Sequence, residues 1–155
     1  MKIKKDSIVQ PPLLSTIKDF EMFHRVTLPK SFVDFINVYN GAVLDDFVVM
    51  VEGKERLVER FLCIMDDPQI IPHVGIYDIS VVIAQVEERL TDNEELLGTE
   101  IIPFAVVFGG DFLCLDFRNQ TSEPSIILWD HNESDELEPV TYFVASSFSK
   151  FFALM

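Results

Sequence analysis

Cysteine is nearly absent from this sequence, which has only Cys63 and Cys114. Each lies inside an apolar run, where a thiol behaves as a small hydrophobic group. Neither belongs to a C-x-x-C pair. The sequence leaves a disulfide between them open, but this cysteine usage suits a reducing compartment, and we expect a cytoplasmic protein.

Long hydrophobic runs and metal-binding motifs are also missing. No apolar stretch approaches the roughly 20 residues that span a bilayer, and the basic first residues lead into no signal-peptide core. The three histidines, His24, His73 and His131, are far apart and form no H-x-x-x-H pair. We therefore expect no metal and no other cofactor.

Basic residues become scarce after residue 60. Residues 61–155 contain three lysines or arginines and seventeen acidic residues, whereas residues 1–60 contain nine of each, so the net charge of −14 lies in the later part. Such a surface repels nucleic acid and anionic lipid, and it attracts a basic partner over long range. Acidic surfaces also serve solubility alone, which is the simpler explanation of the composition.

Apolar residues are abundant, at 48% of the 155 residues, and include 14 phenylalanines. A chain of this length is about one domain and can fill one core without disulfides. Residues 1–12 are basic and polar and end in two prolines, which predicts a loosely attached, flexible N-terminal arm. We therefore predict a single domain over residues 13–155.

Hydrophobic spacing predicts four helices and a set of short strands. The clearest helix runs from Lys30 to Asn40, where Asn40-Gly41 supplies a left-handed stop. The other helices are a first one capped by Ser15 or Thr16, with Ile17, Phe20 and Phe23 apolar at helical spacing, one from about Ile79 capped by Asp78, and a last one capped by Ser146. The strands are 47–51, 57–62, 101–108, 112–117, 125–129 and 140–144, with hairpin turns at 52–54 and 109–111.

This order of elements predicts an α+β fold, with helices packed mainly on one face of a largely antiparallel sheet. Alternating βα units are absent. If the last strands pair in order, Asp111, Asp116, Asp130 and His131 could converge into an acid-base or cation site. The alternative is that these carboxylates accept hydrogen bonds from loop backbone, and no nucleophile is evident beside them.

Several strings resemble the SUKH superfamily, the SMI/KNR type of immunity domain. The opening LPKSFVDFI at 28–36 followed by NG at 40–41 is similar to the start of that family. The later strings follow in the family order: IPFA at 102–105, GGD at 109–111, CLD at 114–116, ILWDH at 127–131 and ASSFSKF at 145–151. Together they span about residues 13–155.

The resemblance implies a bent sheet with packed helices and no catalytic residues. In bacteria it implies an immunity protein that binds and neutralises the toxic domain of a polymorphic toxin, often a nuclease. Fungal relatives serve as interaction hubs in cell-wall signalling, so a non-catalytic scaffold or regulatory module is the alternative. A third hypothesis is an enzyme or ligand binder that uses the region of Asp111 and His131.

For an immunity role we expect a basic toxin domain as partner, no nucleic acid or membrane partner, and a monomer or weak homodimer. The expected contacts are exposed acids in the predicted loops. They are Asp45, Asp46, Asp66, Asp67, Asp92, Glu94, Glu95, Glu133, Asp135 and Glu136.

Overall fold

The computed structural model describes residues 1–119 and 123–155. Within them, seven strands form one antiparallel sheet in which each strand pairs with the next along the chain. The strands are β1 Lys2–Lys4, β2 Val43–Val51, β3 Lys54–Phe61, β4 Ile101–Val107, β5 Asp111–Asp116, β6 Ser125–Trp129 and β7 Thr141–Ala145. The α-helices are α1 Leu14–His24, α2 Lys30–Tyr39, α3 Pro72–Gly75, α4 Ile79–Val86 and α5 Phe148–Phe152.

The sheet is strongly bent. In a flat sheet β2 and β7 would lie five strand spacings, or about 24 Å, apart. Here the two strands approach each other closely, and irregular register interrupts the pairing of β2 with β3, β3 with β4, β4 with β5 and β6 with β7. Such bulges bend strands and increase their twist. The predicted α+β fold with a bent antiparallel sheet is confirmed.

Phenylalanines from α2 and α5 fill the space inside the bend. Phe32 packs edge-to-face on Phe104 of β4 and on Phe148 of α5, with ring centroids 6.0 and 5.1 Å apart. Phe151 of α5 contacts Phe47 of β2. The apolar stripe predicted for α2 is buried at Phe32, Phe35 and Ile36, and each buried aromatic ring adds both apolar area and oriented contacts to the core.

The central strands are buried along nearly their whole lengths, whereas β2 and β3 are not. Successive residues of β4, β5 and β6 are inaccessible, so both faces of the sheet are covered there. In β2 and β3, buried and exposed positions alternate over most of each strand. One face of this hairpin is therefore open to solvent.

Helix α4 begins as predicted. The Asp78 carboxylate accepts hydrogen bonds from Ser80 N and Val81 N, which caps the first turn. Burial raises the pKa of Asp78, opposed by the hydrogen bonds from Met65 N, Val81 N and Ser80 N and by the charge of His24. None of the helices in the described residues is long and apolar enough to cross a membrane.

Helix α1 differs from the prediction at both its start and its buried face. Neither Ser15 nor Thr16 caps it; instead Leu13 N and the Thr16 hydroxyl donate to the distant Asp66 carboxylate. Of the three apolar residues at helical spacing, Ile17 and Phe20 are buried, but the Phe23 side chain is 78% exposed. The next residue, His24, lies inside in its place.

The burial of His24 has a polar cause. Its Nδ1 lies 2.7 Å from the Gly98 carbonyl and its Nε2 lies 2.9 Å from the Ser80 hydroxyl. Since a carbonyl only accepts, Nδ1 carries the proton and Nε2 accepts from the serine. Burial lowers the pKa of His24, although the Gly98 hydrogen bond and the charges of Asp78 and Glu87 oppose the shift.

The N-terminal segment also differs from the loosely attached arm predicted over residues 1–12. Lys2–Lys4 form β1 and pair with β2, and Val9 N donates to the Asn40 carbonyl. Ile3 and Ile8 pack partly buried against the core. The segment thus supplies hydrogen bonds to an edge of the sheet that would otherwise be unpaired.

The predicted stop after α2 is present, and its asparagine has a second role. Gly41 has a φ of 74°, in the left-handed region. The Asn40 amide nitrogen donates to Gln10 O and Ile64 O, and its oxygen accepts from Ile64 N, all at 2.9 Å. Asn40 therefore joins the end of α2 to two other segments of the chain.

At the other end of the chain, the cap of α5 is Ser147 rather than the predicted Ser146. The Ser147 hydroxyl accepts from Lys150 N at 3.2 Å.

Both cysteines are buried and unpaired. Burial raises the pKa of Cys63 to about 12 and that of Cys114 well above its ordinary value, so neither is a reactive thiolate.

Candidate protein-interaction site

The turns of three hairpins lie at one end of the sheet. Because the strands pair in sequential antiparallel order, the β2–β3 turn at 52–53, the β4–β5 turn at 108–110 and the β6–β7 loop at 130–140 all lie at the same end. We call this the hairpin end. It collects three segments that are far apart in the sequence.

Buried carboxylates shape the longest of these segments. Asp111 accepts a hydrogen bond from His131 N at 2.8 Å, and Asp130 accepts one from Glu133 N at 2.8 Å. Ser134 N donates to the Asp130 carbonyl and closes the turn. The loop backbone is thereby fixed by groups that are themselves buried, so its acidic side chains point outward from a defined base.

Arg89 supports the same loop from the turn that follows α4. Its guanidinium donates to the carbonyls of His131 and of Ser134, the latter at 2.8 Å. It also lies 5.2 Å from the Trp129 ring, whose Nε1 donates to the Arg89 carbonyl at 2.9 Å. Trp129 is fully buried, so the family string around it builds the base of the acidic loop.

The loop presents exposed acids at the hairpin end. Glu133, Asp135 and Glu136 are all exposed. Leu137 N donates to the Glu88 carbonyl at 2.7 Å, which places exposed Glu88 beside them. These predicted contact residues thus lie together on one surface.

Tyr142 binds one of the exposed acids of this surface. Its hydroxyl donates to both carboxylate oxygens of Glu133 at 2.9 Å. The pKa of Tyr142 is raised, first by this hydrogen bond, then by desolvation and by the charges of Glu133, Asp130 and Glu52. The charge of Glu52, in the β2–β3 turn, therefore acts on Tyr142 together with the charges of the loop.

The arginines at this end are bound to other groups of the protein. Arg56 pairs with buried Asp111 at 3.3 Å, and Arg89 is held by the loop carbonyls described above. Their charges are thus directed inward, while the carboxylates of the loop remain exposed. Exposed Lys54 also lies at this end, beside the β2–β3 turn, but the exposed carboxylates outnumber it, so the outward-facing charge of the hairpin end is mainly acidic.

A second group of the predicted acids lies near the opposite end. Asp92 lies within electrostatic range of Glu100 and Arg118, and these two residues in turn interact with Asp116 at the far end of β5. Burial raises the pKa of Glu100, with the charge of Asp92 adding to the effect and Arg118 opposing it. Exposed Glu94 and Glu95 follow Asp92 in the chain.

Three of the four remaining predicted contacts have a hydrogen-bond or ion-pair partner within the protein. Asp45 lies 3.8 Å from Lys4 of β1, and Asp46 lies in the irregular part of β2 with a φ of 58°. Asp66 is held by the start of α1, and Asp67 accepts from Gln69 N. All ten predicted acids are exposed, but they do not form one cluster.

Of the four residues considered as an acid-base or cation site, Asp111, Asp130 and His131 lie together at the base of the loop, but Asp116 does not join them. Asp111 and Asp116 occupy the two ends of β5, about 16 Å apart at the strand rise of roughly 3.3 Å per residue. Asp116 binds Arg118, while Asp111 and Asp130 accept loop hydrogen bonds. In the described residues, no group of three or more histidine, cysteine or acidic side chains is placed to hold a metal ion.

Sequence reasoning missed Glu52 and Glu88 as members of the acidic surface. Both are exposed acids in segments distant from residues 133–136. The available signal was the sequential order of hairpins, because a meander places every second connection at the same end. The contact between Glu88 and Leu137 could not be predicted from the sequence, because it depends on how α4 packs on the sheet.

The fold and this surface define the protein as an α+β domain with an acidic surface at one end of a bent antiparallel sheet. The chain belongs to the SMI1 / KNR4 family (SUKH-1), whose family model matches residues 11–154. It is similar to the SPbeta prophage-derived uncharacterized protein YokK of Bacillus subtilis (strain 168), with 26% identity over 141 residues, 87% of this chain and 70% of that protein. No solved structure shows a significant match.

Proposed function

We propose that this protein is an immunity protein that binds and neutralises the toxic domain of a bacterial polymorphic toxin. Its membership of the SMI1 / KNR4 family over residues 11–154 carries this proposal. The exposed acids of the hairpin end support it, since a nuclease-like toxin is basic around its substrate groove. The cytoplasm suits this role, because unpaired cysteines such as Cys63 and Cys114 are typical of a reducing compartment.

Neutralisation would proceed by occlusion. Glu133, Asp135 and Glu136, with Glu52 and Glu88 beside them, would enter the basic groove and occupy the positions of substrate phosphates. The base formed by Asp111, Asp130 and Arg89 keeps the loop ordered before binding, which lowers the entropic cost of association. The acids elsewhere on the surface would add to the long-range attraction.

The test begins with the partner itself. The protein is purified from its own cells, and the retained toxin domain is identified by mass spectrometry and then prepared separately. The association rate is measured between 50 and 500 mM salt, where the screening length falls from roughly 14 to 4 Å. We expect the rate to fall steeply with salt, by about tenfold or more.

Two charge-reversal variants locate the contact. The first replaces Glu133, Asp135 and Glu136 by lysine, and the matched control replaces Asp92, Glu94 and Glu95, which also removes three exposed acids. Both change the net charge equally. The first should weaken binding and abolish inhibition of the toxin, while the control should only slow association. Equal effects of the two variants would contradict the assignment to the hairpin end.

The alternative is a non-catalytic scaffold or regulatory module, which the same family membership supports. An adjacent gene for a large secreted protein with a variable C-terminal domain favours immunity. A retained partner that has no toxic activity when expressed alone would favour the scaffold.

A further inference from the structure

The outward face of the β2–β3 hairpin carries apolar side chains that nothing in the described chain covers. Val48 and Leu57 are directly opposite each other in the β2–β3 register and are 43% and 41% exposed. Their neighbours Phe47 and Val58 form the next pair and are buried on the inner face. The exposure is therefore a property of one whole face of the hairpin.

Phe108 extends this pair onto a third strand. Its N–H donates to the Leu57 carbonyl at 2.9 Å, and its side chain is 68% exposed. Val107 is buried opposite Val58, so the adjacent Phe108 points to the outer face. Val48, Leu57 and Phe108 form a row across β2, β3 and the end of β4, which we call the outer apolar row; Met50, 58% exposed, adjoins it.

The same face is covered farther along the sheet. Phe112 of β5 stacks on Trp129 of β6 with ring centroids 5.6 Å apart, and Trp129 contacts Arg89 after α4. The outer apolar row thus lies on the β2–β3 side of this covered region, and Phe143 of β7, opposite Ile127, is a separate exposed residue at the other edge. An exposed apolar patch with a polar rim is typical of a protein interaction site.

The rim of the outer apolar row is mainly acidic. Glu55 is opposite Met50, and Asp46, Glu52 and Glu59 are exposed around the same hairpin, where they outnumber the exposed Lys54. A second copy of this chain, with a net charge of −14, would bring like charges together there. An anionic lipid surface would be repelled for the same reason.

The row is also continuous with the hairpin end. Phe108 belongs to the β4–β5 turn, and Gly110 of that turn lies against the His131 ring at the base of the acidic loop. A partner seated on residues 133–136 would extend over Phe108. Specific interfaces bury about 800 Å² and roughly 20–30 residues on each partner, which is more residues than the loop at 130–140 contains.

We propose that the outer apolar row is the hydrophobic anchor of the toxin interface, and that it receives an apolar patch flanked by lysine or arginine on the toxin domain. This inference rests on the proposed immunity function and adds the chemistry of the partner. The acids set the rate and orientation of encounter, whereas the row supplies the contacts that slow dissociation.

The test uses the full chain and the separately prepared toxin domain. Phe108→Ser and Leu57→Ser are compared with Phe23→Ser, an exposed phenylalanine on α1 that serves as the matched control. Thermal melts confirm that each variant is folded. We expect the first two to weaken binding by about tenfold or more through faster dissociation, with the salt dependence of association unchanged, and the control to bind as the parent does.

The outcomes separate this inference from the proposed function. If the toxin domain binds and both variants match the parent, the inference is wrong while the immunity role stands. If no toxin domain is retained, both fail together. If Phe108→Ser instead converts a self-associated form to monomers in light scattering, a second copy occupies the row and the inference is overturned.

Discussion

Replacing Asn40 by alanine should destabilise the fold strongly, because this side chain joins three segments of the chain. It makes two hydrogen bonds to the backbone of Ile64 and one to the Gln10 carbonyl. Asn40 is 1% exposed and Ile64 is 2% exposed. The Ile64 amide and carbonyl would therefore lose their partners without gaining full access to water.

The expected magnitude follows from these three bonds. A buried hydrogen bond contributes about 1 kcal/mol, and a buried group left without a partner costs about 1–3 kcal/mol. The Gln10 carbonyl lies near the surface and can bind water, so the loss comes mainly from Ile64. We expect Asn40→Ala to lower the free energy of unfolding by about 3 kcal/mol, which corresponds to a decrease in Tm of about 6–12 °C for a domain of this size.

Urea denaturation followed by circular dichroism measures this loss. The matched control is Asn37→Ala, an exposed asparagine on the same helix, which should change stability by less than about 0.5 kcal/mol. Asn40→Asp should also destabilise, since it removes both donors and places a carboxylate near two carbonyls. If Asn40→Ala were as stable as the control, the bridging role of Asn40 would be refuted.

Three further predictions concern buried side chains. Because the pKa of His24 is lowered from 6.5 by burial, the unfolded state binds more protons than the folded state. The contribution of His24 to the free energy of unfolding is therefore present above pH 6.5 and is lost as the pH falls below it. In urea titrations between pH 7 and 5, His24→Gln should lose less stability than the parent, and parallel stability curves for the two proteins would contradict this. Phe20→Ala should lower the free energy of unfolding by about 3–4 kcal/mol, whereas Phe23→Ala should lower it by less than about 0.5 kcal/mol. Equal losses for the two variants in the same denaturation assay would contradict the orientation of α1. The native Cys63 thiol, whose pKa is raised to about 12 by burial, should react with a thiol reagent only on unfolding, and fast labelling of the native protein would show that it is accessible.

Features set by neighbouring residues could be predicted from the sequence. The α2 stripe, the Asp78 cap and the turn at Gly53 each depend on side-chain spacing or backbone preference within a few residues. The later strands followed from short apolar runs bounded by turn residues. These elements were sufficient to predict the α+β class.

Features set by distant contacts were not predictable in the same way. His24 is buried because Gly98 and Ser80 supply its hydrogen bonds, and the start of α1 is held by Asp66, which is about 50 residues away in the chain. The spacing of apolar residues alone favoured Phe23. Strand β1 likewise depends on the edge that β2 presents.

The candidate site also combines features that the sequence indicates with features that depend on distant contacts. Each acid of the 133–136 loop is exposed because it lies in a polar segment, which the sequence indicates. Their association with Glu52 and Glu88 depends on the order of hairpins and on the contact of Glu88 with Leu137. The outer apolar row was missed because the alternation of β2 and β3 does not reveal which face α4 leaves uncovered.

Rescue of growth tests the central claim most directly. Cells that express the toxin domain receive either this protein, its variant with lysine at positions 133, 135 and 136, or the control variant with lysine at 92, 94 and 95. We predict that the parent and the control restore growth and that the hairpin-end variant, although folded, does not. Growth with all three would contradict neutralisation through the hairpin end, and growth with none would contradict the immunity function.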